Sequence, residues 1–290
     1  MRISQEHCII AMTPRSLFLF FSQHARIFVM RLIFIRHGDP NYEKDSLTAQ
    51  GWKEARLLAK RVSKWNVTDF YVSPLGRAQD TASLSLKKMR RAAETHEWLK
   101  EFYVPVKDPT DGHERIPWDL LPEYFYSEEK FLEREKWLDT DLMKSGEVEK
   151  NYREVCDGID SILRRYDFER EGLFYKTSGK IPNPNFDSAT FVKNYHLLSN
   201  KTEYDERTAV FFCHLGVMFA MTSHLVNCSP LVLWQGFYVA PTSVTVLNSE
   251  ERVAGKAAFR IERLGDTAHL HDGRQRISSS GYFAPVLQEI

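Results

Sequence analysis

Residues 29–38 read Val29-Met30-Arg31-Leu32-Ile33-Phe34-Ile35-Arg36-His37-Gly38, an apolar run that ends in an arginine, a histidine and a glycine. A short apolar run bounded by a turn residue is typical of a buried strand. Two similar runs follow: residues 70–72 precede Arg77, and residues 208–213 end at His214. Because an open α/β sheet binds ligands at the carboxyl ends of its strands, we expect the three segments to meet at one crevice.

The four side chains at these strand ends predict a site for one phosphoryl group. Arg36 and Arg77 are expected to bind phosphate oxygens in forked geometry, and Arg77 lies near the start of a helix, an anion-binding position. His37 is the candidate nucleophile, which requires one free ring nitrogen and a second nitrogen fixed by a hydrogen bond, for example to a backbone carbonyl. His214 would donate to the transferring oxygens.

The alternation of strand and helix patterns predicts an α/β fold, a three-layer α/β/α sandwich around a mostly parallel sheet. Thr48 is the expected N-cap of the first helix. Ser73 is the expected cap of the second helix, with Pro74 at its first position. Residues 243–247 and 257–263 are predicted to pair as an antiparallel edge of the same sheet.

The domain boundaries follow from composition. A single domain is predicted over residues 30–272, with an inserted lid at 105–205 that is rich in proline, acids and aromatics and contains a helix near 128–143. Residues 1–29 are expected to be a poorly ordered extension, since they contain neither a membrane-length apolar segment nor a secretory pattern. Residues 273–290 are expected to form a tail without a strong pattern.

The charge balance bears on the partners of this chain. The 290 residues include 39 basic and 39 acidic side chains, so no global positive field attracts nucleic acid or an anionic membrane. Neither nucleic acid nor a membrane is therefore expected as a partner, and the predicted phosphoryl site makes a small phosphorylated metabolite the expected one. The four cysteines have no metal-ligand spacing and favour a reducing, cytoplasmic setting. The sequence does not predict an oligomeric state.

Four motifs resemble those of the histidine phosphatase superfamily, the phosphoglycerate-mutase-like group, and in particular its bacterial phosphatase members. In chain order the motifs are Phe34–Pro40, Leu47–Ala55, Ser73–Ala82 and Gly265–Leu270. One position departs from the family pattern. The family usually has glycine directly after its second histidine, whereas here Leu215 stands between His214 and Gly216.

The resemblance implies a metal-independent phosphomonoesterase of the histidine acid phosphatase type. The reaction would proceed through a phosphohistidine on His37, with Arg36, Arg77 and His214 completing the pocket. No metal or other cofactor is expected, because the arginines and a protonated histidine would supply the positive charge. The alternatives are a phosphomutase, which returns the phosphoryl group to a sugar acid, and a sensor that binds a phospho-ligand without turnover.

The general acid has two candidates. The family places a glutamate after a short strand of the pattern Leu-x-Glu, and Leu99-Lys100-Glu101 fits that pattern. Asp119 is the rival, because neighbouring aromatic residues would partly desolvate it. We favour Glu101 over Asp119. Asn41, shortly after the first motif, is a candidate for binding the phosphate through its side-chain amide.

Overall fold

The structure, a computed structural model, describes residues 27–178, 204–253 and 255–288. In chain order the strands are β1 (Ile27–Arg36), β2 (Pro40–Asn41), β3 (Ser46–Leu47), β4 (Asp69–Val72), β5 (Glu94–Thr95), β6 (Val106–Lys107), β7 (Glu114–Arg115), β8 (Glu169–Glu171), β9 (Phe174–Lys176), β10 (Tyr204–Cys213), β11 (Val244–Val253) and β12 (Lys256–Asp266). The helices are α1 (Ala49–Val62), α2 (Gly76–Met89), α3 (Pro122–Phe125), α4 (Asp141–Lys144), α5 (Val148–Arg164), α6 (Leu215–Val226), α7 (Pro230–Gly236) and α8 (Ala268–Asp272). Three single turns of 3₁₀ helix span Glu97–Leu99, Glu129–Leu132 and Trp137–Asp139.

One eight-stranded sheet, with the order β5-β4-β10-β1-β11-β12-β9-β8, organises the fold. The pairings β5–β4, β4–β10 and β10–β1 are parallel. The pairings β1–β11, β11–β12, β12–β9 and β9–β8 are antiparallel. Six of the eight strands therefore point in the same direction. The predicted α/β sheet with an antiparallel β11–β12 pair is confirmed.

Alternating side chains of β1 divide the core into two layers. Ile33 and Ile35 pack on the face covered by α1 and α2, where Leu58 is fully buried. Leu32 and Phe34 point to the opposite face, which α5 and α6 cover. Burying each such side chain stabilises the fold by about 1.5–3 kcal/mol. This arrangement is the predicted three-layer sandwich.

The two helices beside β1 begin differently from one another. Thr48 caps α1 as predicted, since its hydroxyl accepts from the amide of Gly51 at 3.1 Å. The predicted cap of α2 at Ser73 is wrong: the N-cap is Leu75, and Gly76 is the first helical residue. The reason is that the Ser73 hydroxyl bonds the ring of His214, which extends the connection from β4 to α2.

The region predicted as a lid is not a single unit. The β6–β7 hairpin and the short helices up to α4 form an aromatic shoulder, whereas α5 covers the sheet and β8 and β9 extend it. The predicted helix near 128–143 is wrong, because the chain there forms two separate 3₁₀ turns and α4. Thr140 adopts an extended backbone and caps α4 through the amide of Met143, so it interrupts any continuous helix. Residues 179–203 of the predicted lid lie outside the described residues.

The ends of the described chain extend the predicted domain. The first strand begins at Ile27, inside the segment predicted as an extension, while residues 1–26 lie outside the described residues. Beyond residue 272 the tail packs on the domain: Tyr282 stacks on Tyr238 with ring centroids 4.3 Å apart, and Ser278 Oγ lies 2.5 Å from Asp39 Oδ1. No helix in the described ranges is long and apolar enough to cross a membrane.

Candidate active site

The parallel pairing of β1 with β10 places two imidazoles side by side. Arg36 is in register with Cys213, so His37 and His214 follow at the same edge of the sheet. Their ring centroids lie 5.1 Å apart, with the planes inclined at 56°, and both side chains are buried. The convergence predicted from the strand ends is thus observed for these two residues.

The ring of His37 has a defined tautomer. Its Nδ1 lies 2.7 Å from the carbonyl oxygen of Gly38, and since a carbonyl only accepts, Nδ1 carries the proton. Nε2 therefore retains its lone pair, as the nucleophile prediction requires. Burial, together with the charges of Arg36 and Arg77, lowers the pKa of His37 well below its ordinary value of 6.5. The lowered pKa favours the neutral, nucleophilic form of the ring.

His214 is held from the neighbouring strand end. Its Nε2 lies 2.7 Å from Oγ of Ser73, which also accepts from the amide of Leu75 and can donate its own proton to the ring. The proton of the ring then resides on Nδ1, a buried atom without a hydrogen-bond partner. Burial, His37 and the two arginines lower the pKa of His214, so the expected protonated histidine is instead neutral in the free site.

Arg36 is fixed by backbone carbonyls. Its Nη1 donates to Val239 O at 2.7 Å and its Nη2 to Ser280 O at 2.9 Å, and the guanidinium lies 5.8 Å from the ring centroid of Tyr238. Nε is buried and has no hydrogen-bond partner. These contacts orient the guanidinium but use only two of its five N–H groups, so Nε and the second N–H of each Nη stay available to a ligand.

Arg77 is fixed by a carboxylate. Its Nη1 lies 2.6 Å from Asp45 Oδ1, and Oδ2 of the same side chain accepts from the amide of Gly76 at 2.6 Å. The guanidinium also lies 5.5 Å from the ring centroid of Tyr42. Here too Nε is buried and unpartnered. Gly76 is required for this approach, since a Cβ there would lie 2.0 Å from the backbone oxygen of Asp45.

Within the described residues, the predicted site therefore contains three donors without a hydrogen-bond partner: Arg36 Nε, Arg77 Nε and His214 Nδ1. A buried polar group without a hydrogen bond costs about 1–3 kcal/mol, more when it is charged. Such groups are rare in native proteins and commonly mark a position that a ligand fills. A ligand with several acceptor oxygens and negative charge would satisfy all three.

Glu101 approaches the same region from the segment after the first 3₁₀ turn. Its Oε1 accepts from the amides of Phe102 at 2.8 Å and Val217 at 3.2 Å, the latter in the first turn of α6. Burial raises the pKa of Glu101 above its ordinary value of 4.5, against the lowering effect of those amides and of the arginines. The group thus stays protonated to a higher pH than a solvated glutamate.

The departure at Leu215 has a structural explanation. Leu215 is the first residue of α6, and Gly216 is the position that needs to lack a side chain. A Cβ on Gly216 would lie 2.6 Å from Oε1 of Glu101 and 2.7 Å from the indole of Trp118. Because Gly216 has no side chain, the carboxyl group of Glu101 can approach the first turn of α6.

The two remaining candidates lie elsewhere. The side chain of Asp119 is exposed, and Asn41 uses its Oδ1 to accept from the amide of Lys44 at 3.2 Å. Neither residue lines the cavity that contains Arg36, Arg77 and Glu101. Of the two proposed acids, the structure brings Glu101 and not Asp119 to the site.

The site opens into a cavity of about 750 Å³. Residues from the segment 97–103 form much of its wall, and the aromatic shoulder adds Ile116 and Trp118. Residues of α5, Leu215, Gly281 of the tail and the two arginines also line it. The two imidazoles are too buried to line this cavity themselves. In the described part of the chain no three His, Cys, Asp or Glu side chains are clustered as metal ligands would be.

Sequence reasoning missed three contributors to this site. Ser73 lies in a recognisable motif, but its sequence context predicts a helix cap and not a hydrogen bond to His214. Asp45, which orients Arg77, has a left-handed backbone (φ +44°) and carries no motif of its own. Ser280 holds Arg36 from a tail that has no periodic pattern. Only the tertiary structure identifies the last two.

Comparison with known proteins places this geometry in context. Residues 32–115 match the model of the histidine phosphatase superfamily (branch 1), a segment that contains Arg36, His37, Arg77 and Glu101. A search of curated proteins gives no match.

Among solved structures, a mycobacterial glucosyl-3-phosphoglycerate phosphatase is similar at a TM-score of 0.50 and 14% identity, over 82% of this chain and 99% of that one. A phosphoserine phosphatase from Entamoeba histolytica matches at a TM-score of 0.49 and 18% identity, over 83% and 99%. An alpha-ribazole phosphatase from Shigella flexneri matches at 0.47 and 17%, over 82% and 97%. The first of these comparisons supports the fold assignment. Residues 32–115 are therefore similar to the histidine phosphatase superfamily, and the fold of the chain is similar to that of a solved phosphatase.

Proposed function

We propose that this protein is a phosphatase that hydrolyses a phosphate monoester through a phosphohistidine on His37. The observation that carries the proposal is the set of three buried, unpartnered donors beside a neutral histidine whose Nε2 is free. A phosphoryl group has negative charge and several acceptor oxygens, and these would satisfy the three donors.

In the first step the lone pair on His37 Nε2 attacks phosphorus, and the bond from phosphorus to the ester oxygen breaks. Arg36, Arg77 and His214 donate to the nonbridging oxygens, where negative charge is concentrated during the transfer. Glu101 donates a proton to the leaving oxygen. The raised pKa of this carboxyl favours the protonated form that the step needs. The products of this step are an alcohol, a Glu101 carboxylate and a phosphohistidine.

In the second step a water molecule attacks the phosphohistidine. Glu101, now a carboxylate, takes a proton from that water, and the bond from phosphorus to nitrogen breaks so that the electron pair returns to His37 Nε2. Inorganic phosphate leaves and both residues regain their starting states. The Gly38 carbonyl keeps Nδ1 protonated and so orients the ring through both steps.

We propose that the reaction needs no metal, because two guanidinium groups supply positive charge at the phosphoryl site. The acid-phosphatase character of the proposal is supported by the lowered pKa of His37, which favours the unprotonated nucleophile. A cytoplasmic location is part of the same proposal, supported by the free thiols of Cys156, Cys213 and Cys228. The expected substrate is a small phosphorylated metabolite, the class named for the mycobacterial relative.

Two alternatives stay open to the same geometry. A phosphomutase would return the phosphoryl group to a sugar acid, and a sensor would bind phosphate without turnover. A phosphatase screen with 4-nitrophenyl phosphate and alkyl monoesters tests the proposal, with His37→Ala as the control. Release of phosphate by the wild type and its loss in His37→Ala support hydrolysis. Binding without release would support the sensor, and a requirement for a bisphosphorylated sugar acid would support the mutase.

A further inference from the structure

Beyond Arg36 and Arg77, one part of the cavity wall is apolar and mainly aromatic. Six of the residues that form it are Trp98, Phe102, Tyr103, Ile116, Trp118 and Leu215. A volume of about 750 Å³ is in the range of pockets that enclose a drug-sized organic ligand. The cavity is therefore much larger than the phosphoryl group requires, and flat aromatic side chains bound part of the additional space.

The two indoles of this wall are already fixed in the free protein. Trp118 Nε1 donates to the carbonyl of Phe102 at 3.1 Å, which holds the ring by its edge. Trp98 lies against Gly158 of α5 so closely that a Cβ there would be 2.3 Å from the indole. Both rings are partly buried. Because these faces need no ordering on binding, an apolar ligand gains their contact at little entropic cost.

The same wall offers no free cation to a second anionic group. Apart from the two arginines, Lys100 is the one basic residue among the described residues that line the cavity, and its Nζ pairs with Glu97. Glu154 also lines the cavity. A carboxylate or a second phosphate on the substrate would therefore meet carboxylates and an ammonium group that is already paired.

We infer that the substrate is the phosphate monoester of an alcohol that carries a bulky, uncharged aromatic group. This inference rests on the proposed function, since it names the substrate class of the same site. The aromatic group would stack on the fixed indoles while the phosphoryl group reaches His37. A compact substrate with a second anionic group, such as 3-phosphoglycerate, is disfavoured.

The selectivity ratio tests this inference. In the wild type we expect kcat/KM for 1-naphthyl phosphate to exceed that for 3-phosphoglycerate at least about tenfold. Trp118→Ala should lower this ratio about tenfold, since it removes one aromatic contact from one substrate only. A disturbance of nearby Glu101 would have the opposite effect: it would slow 3-phosphoglycerate more than 1-naphthyl phosphate, because an alkoxide leaving group depends more on the proton donor, and so it would raise the ratio. Tyr126→Ala is the matched control, an exposed aromatic of the same shoulder that does not line the cavity.

A binding measurement tests this inference separately from the proposed function. His37→Ala cannot form a phosphohistidine, so calorimetry on that variant measures affinity alone. Tighter binding of 1-naphthyl phosphate than of 3-phosphoglycerate, lost on adding Trp118→Ala, supports the aromatic class even if the wild type hydrolyses neither compound. Preference for 3-phosphoglycerate, or a ratio that Trp118→Ala leaves unchanged, overturns the inference, whereas hydrolysis by the wild type would still uphold the phosphatase.

Discussion

Oγ of Ser73 lies 2.7 Å from Nε2 of His214, and each residue directly follows one of two adjacent parallel strands, β4 and β10. This contact explains why α2 begins two residues later than its sequence predicts. It also selects the tautomer of His214, because a hydroxyl that donates to Nε2 leaves the proton on Nδ1, where the phosphoryl site needs a donor.

Ser73→Ala should therefore weaken both the fold and the reaction. It leaves Nε2 of a fully buried histidine without a partner, which costs about 1–3 kcal/mol of unfolding free energy. We expect kcat/KM to fall about tenfold through loss of the donor on His214. Urea unfolding and steady-state kinetics measure these effects. Ser85→Ala is the matched control, since Ser85 is equally buried but its hydroxyl has no partner; equal effects of the two substitutions would contradict the role of Ser73.

Gly216→Ala should impair turnover by displacing Glu101. Its Cβ would lie 2.6 Å from Oε1 of that residue, closer than real contacts permit. We expect kcat for an alkyl phosphate to fall at least about tenfold. Gly236→Ala provides the comparison, because a Cβ at that helical position meets no atom within 4 Å. Activity of Gly216→Ala at the level of Gly236→Ala would show that the tight fit at α6 does not position the acid.

The pH profile should identify Glu101 as the proton donor. Since the protonated carboxyl is the active form, kcat/KM for an alkyl phosphate should fall as pH rises through the raised pKa of Glu101. Glu101→Gln should lower kcat/KM by about 10²–10⁴ and remove this alkaline limb. The loss should be smaller for 4-nitrophenyl phosphate, whose leaving group departs without a proton. An equal loss for the two substrates would argue against general acid catalysis by this residue.

Glu54 should make stability depend on pH. This buried residue accepts from the amide of Asp39, and burial raises its pKa from 4.5 to about 7. The native state therefore holds the proton more tightly than the unfolded state does. The contribution of Glu54 to the free energy of unfolding is fully present below pH 4.5 and is lost as pH rises through about 7. The loss amounts to up to about 3 kcal/mol.

The comparison with Glu54→Gln isolates that effect from other titrating groups, including His37 and His214, whose lowered pKa values act in the opposite direction. Glutamine retains an acceptor for the Asp39 amide but does not titrate. The unfolding free energy of the wild type, relative to this variant, should decrease between pH 5 and pH 8 in urea titrations. A constant difference across that range would contradict the raised pKa.

Local pattern predicted much of this molecule. The apolar runs before Arg36 and His214 identified two central strands, and parallel strands necessarily bring their ends to one edge, so the pairing of His37 with His214 followed from sequence. The antiparallel β11–β12 pair followed in the same way. Each of these predictions started from a pattern within one short stretch of the chain.

The features that escaped prediction depend on contacts between distant segments. The carbonyl of Ser280 binds Arg36 across 244 positions, and no periodicity in the tail records that contact. Asp45 orients Arg77 from a turn whose sequence is unremarkable. The shoulder differs, because there a local bond from the Met143 amide to the Thr140 hydroxyl competes with the helical pattern and starts α4 anew.

Detection of a phosphoryl group on His37 tests the central claim most directly. The enzyme would be mixed briefly with 4-nitrophenyl phosphate, quenched in alkaline denaturant to preserve the phosphorus–nitrogen bond, digested and analysed by mass spectrometry. We predict one added phosphoryl group on the peptide that contains His37, and none in His37→Ala. Steady turnover with no modified histidine, or modification at another residue, would contradict the account.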